Sequence, residues 1–251
     1  EVVECLQDWL GDWAEDNALS DLATDTAQLH MGQTIATIAF AFMQAANDPS
    51  FDADKKEEIA SWLNDRTTSM IAFVNARPDK ITSSNNIRYW NGLGAAAAGV
   101  ALNNRTLFDW GIESARIGIR QIALDGTLPE ELSRASRARH YHFFGGTPLF
   151  ATAELAAANG IDLYSENNGA LQRLAKLLIQ SVNDPSIFEK RTGTTQVKEG
   201  NSMLPQENVM AWLYLYNRHF PSTQAETILK QYPSLGSSPL GGDVRLLYSG
   251  R

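Results

Sequence analysis

The chain has 251 residues, 43% hydrophobic and 20% charged, which is enough to bury a sizeable core and too apolar for a disordered polymer. Its formal net charge of −8 argues against a nucleic-acid binder, which carries a basic face, and requires any polyanionic ligand to be held by a local cluster of Arg and Lys. No apolar run is long enough to span a bilayer, and the single cysteine excludes an internal disulfide and a cysteine-based metal site.

Val2, Leu6, Trp9, Leu10 and Trp13 fall at helical spacing and predict a helix ending near Ala18. Cys5 within it reads as a small buried hydrophobe. Residues 34–45 predict a second, buried helix closed by Asn47-Asp48-Pro49. Residues 54–74 predict a third, with Ile59, Trp62, Leu63, Met70 and Phe73 on one side and a break at Arg77-Pro78-Asp79. Residues 89–102 are rich in Ala and Gly, the composition of a helix packed tightly on its neighbours. A helix over 107–123 closes at Asp125-Gly126, and one over 149–158 ends at Asn159-Gly160, with glycine where helices stop. Helices follow over 169–182 and 209–216, separated by a polar connection over 191–205. Val244, Leu246 and Tyr248 alternate with polar or exposed positions and predict a short C-terminal strand. The fold class expected is all-α: short-looped antiparallel helical hairpins over residues 1–251 as one domain, an α/α toroid or superhelix. No internal repeat supports a regular solenoid.

Motifs for metal, phosphate or dinucleotide binding and the nucleophile elbow are absent, so no metal or cofactor is expected. Two polar-aromatic clusters stand out instead. One is Ser83-Ser84-Asn85-Asn86-Ile87-Arg88-Tyr89-Trp90-Asn91, and the other runs from Arg134 through Arg137, Arg139, His140, Tyr141 and His142 to Phe143 and Phe144. Arg pairs with carboxylates, aromatic rings stack on sugar faces and amides fix hydroxyls, so both clusters suit a sugar acid. The plainer reading stands beside it: Asn85-Asn86 as a helix N-cap, Tyr89-Trp90 as core and Tyr141 as a buried, hydrogen-bonded ring.

The segment NNIRYW (residues 85–90) resembles the NNHxYW motif of the alginate lyase family, and RARHYHFFGGTPL (137–149) is similar to that family's RALxYHNYAxxPL. The likeness runs colinearly through CLQDWLGDWAEDNAL (5–19), residues 103–132, residues 166–193 and LGGDVRLLY (240–248). It implies an incomplete α/α toroid with a deep cleft, working by β-elimination on a β-1,4-linked anionic uronan such as mannuronan without metal or organic cofactor. Asn, His and Arg neutralise the uronate carboxylate, while a Tyr takes the C5 proton and protonates the leaving O4. Asn86 and Arg137 carry over to the neutralising Asn and Arg. Ile87 stands where the family has its His, and Phe144 where it has its Tyr; neither exchanges a proton.

Tyr141, His142, Arg139 and His140 are therefore candidates for the missing roles, with Arg88, Tyr89 and Trp90 beside the substrate. Tyr141 is favoured over His142 as acid/base, and Asn86, Arg88, Arg137, Tyr141 and His142 are expected to share one concave surface. The resemblance also implies a monomer working in the periplasm or outside the cell, and a segment with a lid loop ahead of the first helix whose cysteine pairs with that of Cys5. A working lyase, a silent relative that still grips the polymer, and a partner-binding domain all remain compatible with the residues.

Overall fold

The computed structural model describes residues 1–198 and 204–248. Its helices are α1 (Val2–Glu15), α2 (Asp25–Leu29), α3 (Met31–Ala45), α4 (Ala53–Asn75), α5 (Asn86–Ala101), α6 (Arg105–Gln121), α7 (Pro129–Leu132), α8 (Ala138–Ala158), α9 (Glu166–Ser181), α10 (Ser186–Thr192), α11 (Glu207–His219) and α12 (Thr223–Leu229). A two-residue antiparallel pair, β1 (Gly236–Ser237) with β2 (Gly242–Asp243), precedes the last helix, α13 (Val244–Tyr248). The all-α expectation holds.

Helix α5 is the hub, packed on α3, α6 and α8. Every residue from Tyr89 to Gly99 is buried, so the helix is enclosed on all sides over that stretch. Small residues bring its neighbours to backbone contact. A Cβ on Gly32 of α3 would stand 2.4 Å from Asn91 Cα, and one on Gly111 of α6 would stand 2.6 Å from Ala96 N. Gly32 N–H also donates to the buried Asn91 Oδ1 at 2.9 Å, tying α3 to α5. Asparagines set where helices begin: Asn85 Oδ1 accepts from Ile87 N–H at 3.0 Å, and Asn104 Oδ1 from Thr106 N–H at 3.0 Å.

Three expectations change. The C-terminal strand over 244–248 is a helical turn: Asp243 Oδ1 accepts from Arg245 N–H at 3.0 Å, capping it, and five residues are too few to separate alternation from helical spacing. Cys5 is exposed rather than buried, on the outer face of α1 near Val2 and Trp9. The helix expected over 149–158 begins eleven residues earlier, at Ala138, and runs through Pro148. Pro148 has no N–H for the carbonyl of Phe144, so the ladder lacks one rung there. The expected polar connection over 191–205 has a described part in which Gln196 is buried, and residues 199–203 lie outside the described residues.

Candidate active site

Asn86 is the first residue of α5, directly after its cap. Its N–H donates to Glu131 Oε1 at 2.8 Å, and its Nδ2 lies 3.0 Å from each Glu131 oxygen. Glu131 sits in α7 with no solvent exposure. Burial holds its carboxyl above the ordinary range, with the Asn86 hydrogen bonds pulling the other way. Arg134 Nε stands 3.9 Å from Glu131 Oε2, its own side chain facing solvent.

The 3₁₀ turn Ala135–Arg137 then leads into α8, which carries the rest of the cluster. The His140 and Tyr141 rings meet edge to face at 5.2 Å between centroids. His140 lies parallel to Phe144 at 6.1 Å, and Tyr141 meets Phe144 at 6.3 Å. Trp90 comes from α5 to Phe144 at 5.2 Å. The guanidinium carbons of Arg134 and Arg137 lie 4.6 Å and 5.3 Å from the Tyr141 centroid. His140, Tyr141 and Phe144 are half-buried and both arginines are exposed, so the cluster opens to solvent. Asn86 abuts the same stretch of α8: its Cβ is 3.3 Å from where a Cβ on Gly145 would be. Two arginines, a phenol, an imidazole and two further rings are thus gathered in one cluster at the start of α8.

Asn86, Trp90, Arg137, His140 and Tyr141 are brought together; four other candidates are not. His142, next to Tyr141 on α8, is fully buried. Its Nε2 accepts from Leu128 N–H at 2.9 Å, and its Nδ1 lies 2.7 Å from Ala138 O. Burial drops its pKa to about 4, so it is a neutral core residue with both ring nitrogens occupied. Arg139 turns inward, donating through Nε to Ser181 O at 3.0 Å and through Nη2 to Val182 O at 2.6 Å, carbonyls at the C-terminal end of α9. Arg88 turns to α6, where Nε donates to Ser114 Oγ at 2.8 Å and the guanidinium covers Trp110 at 4.0 Å, with burial lowering its pKa to about 10. Tyr89 is core, its hydroxyl 3.0 Å from Ser84 O and 2.9 Å from Gln121 Oε1, and burial raises its phenol far above the ordinary range. Trp90 is 3% exposed and so has no open stacking face.

Sequence reasoning passed over Glu131 and the role of Arg134. Arg134 lay inside the basic-aromatic cluster as a visible signal. Glu131 had none, since an acidic residue in the first turn of a short helix ordinarily serves only the helix dipole.

The sequence profile of alginate lyase matches residues 2–188. The alginate lyase of Pseudomonas fluorescens (strain SBW25) is 33% identical over 262 aligned residues, which cover 99% of this chain and 67% of the relative. The chain belongs to the alginate lyase family. Among solved structures, alginate lyase A1-III of Sphingomonas species A1 is similar in two variants complexed with tetrasaccharide. The Tyr-to-Phe variant superposes with a TM-score of 0.86 at 26% identity, covering 97% of this chain and 68% of that one. The His-to-Ala variant gives 0.84 at 27% identity with the same coverage. The helices described above thus form the α/α toroid of the alginate lyase family, and this chain spans about two thirds of the length of these relatives. Within that family frame, both polar-aromatic motifs contribute to one patch through Asn86, Trp90, Arg137, His140, Tyr141 and Phe144.

Proposed function

We propose that this chain is a polysaccharide lyase that cleaves an alginate-type, β-1,4-linked uronan by β-elimination, with Tyr141 as acid/base and Arg137 and Arg134 on the uronate carboxylate. The observation that carries the reading is the pair of guanidiniums set at 4.6 Å and 5.3 Å around a half-buried phenol, in a chain of the alginate lyase family.

The chemistry follows from those groups. Two guanidiniums on the carboxylate spread the charge that builds as C5 loses its proton. The phenolate of Tyr141 takes that proton, the C5–H electrons become the C4–C5 double bond and the C4–O4 bond breaks. The proton on the phenol then passes to O4, so one side chain starts and ends in the same state with no water consumed. His140, against the Tyr141 ring, flanks the same face. On this reading residues 1–251 form one catalytic domain, acting as a monomer in the periplasm or outside the cell, where such polymers lie. No helix among the described residues is long and apolar enough to cross a membrane.

A second reading has its own support. Ile87 and Phe144 replace the ionisable residues that the family resemblance implies, and the two variants complexed with tetrasaccharide likewise lack a His or a Tyr. A chain so altered can grip without cleaving. The test is absorbance at the unsaturated-uronate band during incubation with a panel of uronans, run beside a binding assay. A rise on any polymer establishes the lyase, binding without a rise establishes the silent relative, and the absence of both binding and a rise removes saccharide function.

A further inference from the structure

The side-chain amide of Gln196 closes the start of α8 from outside that helix. Gln196 lies just past α10 and is 4% exposed. Its Oε1 accepts from Arg139 N–H at 2.9 Å, and its Nε2 donates to Ala135 O at 3.0 Å and to Thr194 O at 3.1 Å. The backbone beside it adds two more ties. Gln196 N–H donates to Glu189 Oε1 of α10 at 3.2 Å, and Val197 N–H donates to Ser136 O at 2.8 Å.

Two features of the turn Ala135–Arg137 require such a brace. The N-cap of α8 is Arg137, whose side chain has donors only and makes no capping bond. The N–H of Arg139, one of the first four of the helix and so without an intrahelical acceptor, is taken instead by an amide 57 positions away. Ala135 has a φ of 51°, a left-handed backbone unfavourable for a residue with a Cβ, and its carbonyl is the one that Gln196 holds. With the cap supplied from elsewhere, position 137 is free to carry a guanidinium. Arg134 and Arg137 flank this turn, and their guanidinium carbons stand 4.6 Å and 5.3 Å from the Tyr141 centroid.

We infer that Gln196 is a positioning residue that sets the arginine pair against Tyr141, capping α8 in place of Arg137 and holding the left-handed turn. The inference deepens the saccharide reading above and rests on it for its ligand.

The test has one arm without ligand and one with it, both in the whole chain. In arginine side-chain NMR, the ring current of Tyr141 displaces upfield the protons of a guanidinium held over it, and Arg137→Lys identifies the Arg137 signal. Gln196→Ala is expected to return that signal to the position of a solvated arginine. In isothermal titration the same variant is expected to weaken a β-1,4-mannuronate tetramer by about tenfold and to leave its carboxyl-reduced, neutral counterpart unchanged. Added to Arg137→Ala, it is expected to cause little further loss. Arg139→Ala is the control for a merely structural role, with a lower melting temperature and neither of these changes. Ala135→Gly takes up the left-handed turn without steric cost and is expected to restore part of the uronate affinity of Gln196→Ala. If Gln196→Ala does not fold, Gln196→Asn, one methylene short of both partners, is read in the same way. An Arg137 signal that stays upfield, or equal losses for the two tetramers, would overturn the inference with the saccharide reading intact. If the parent binds neither tetramer, the saccharide reading falls and the ring-current arm alone decides whether Gln196 positions the arginines.

Discussion

Arg134 places its guanidinium carbon 4.6 Å from the centre of the Tyr141 ring while its Nε lies 3.9 Å from a carboxylate that has no solvent exposure. One side chain thus connects the phenol of the site to the buried Glu131 that holds Asn86. The guanidinium is held over the ring by the quadrupole of its face.

Replacing Tyr141 with Phe removes the only phenol of the patch among the described residues and keeps the ring that His140 and Phe144 pack against. Turnover is expected to fall at least about a hundredfold, the usual scale for a general acid/base, with oligouronate affinity nearly unchanged. Full activity in that variant would make Tyr141 a structural ring.

The arginines divide by direction. Arg134→Ala and Arg137→Ala are each expected to lower uronate affinity by about tenfold or more at low salt, and by less as ionic strength rises. Arg139→Ala is expected to behave differently, because it strips donors from the Ser181 and Val182 carbonyls: the melting temperature falls while ligand selectivity stays. A selectivity change in Arg139→Ala without a loss of stability would contradict this division.

Ile87→His with Phe144→Tyr restores the two groups the resemblance implies. Both positions are half-buried, Phe144 within the patch and Ile87 beside Asn86 on α5, so polar substituents there retain access to solvent. Activity on mannuronan that appears only in the double variant would identify the parent as a silent relative. A parent already active, and no faster after restoration, would assign the chemistry to Tyr141.

His142 gives the fold a pH signature. Its pKa is about 4 when folded and near 6.5 in an unfolded chain, so the unfolded state binds more protons between those values. Stability is complete above about pH 6.5 and is lost as pH falls toward 4, by on the order of 3 kcal/mol. Unfolding followed from pH 7 to pH 4 is expected to show this slope in the parent and a shallower one in His142→Gln. Parallel curves would place the titration elsewhere.

Much of the fold was legible because buried helices leave period and composition behind: the Ala-Gly run of α5 announced a tightly packed hub, and Gly160, at φ 76°, ended α8 as expected. The site was less so. Arg137 and Arg139 are two positions apart in one basic run, yet one faces the patch and the other caps α9, because the carbonyls of Ser181 and Val182 lie 42 and 43 positions along the chain from Arg139. His142 and Tyr141 look equally chemical as letters, but one step along a helix sends His142 to the backbone of Leu128. Asn85 and Asn86 split likewise: the first is the cap that a plain reading predicts, the second answers to a carboxylate 45 positions away. Local pattern specifies which way a helix face turns only when every neighbour is known.

The missing rung at Pro148 has a consequence for motion. The hydrogen-bond ladder of α8 is interrupted just after Phe144, between the turns that carry Tyr141 and His140 and the turns that continue into the core. The two halves of the helix are therefore joined by one backbone bond fewer, while His142 and Arg139 keep the leading turns anchored, so amide exchange along α8 is expected to change at that seam.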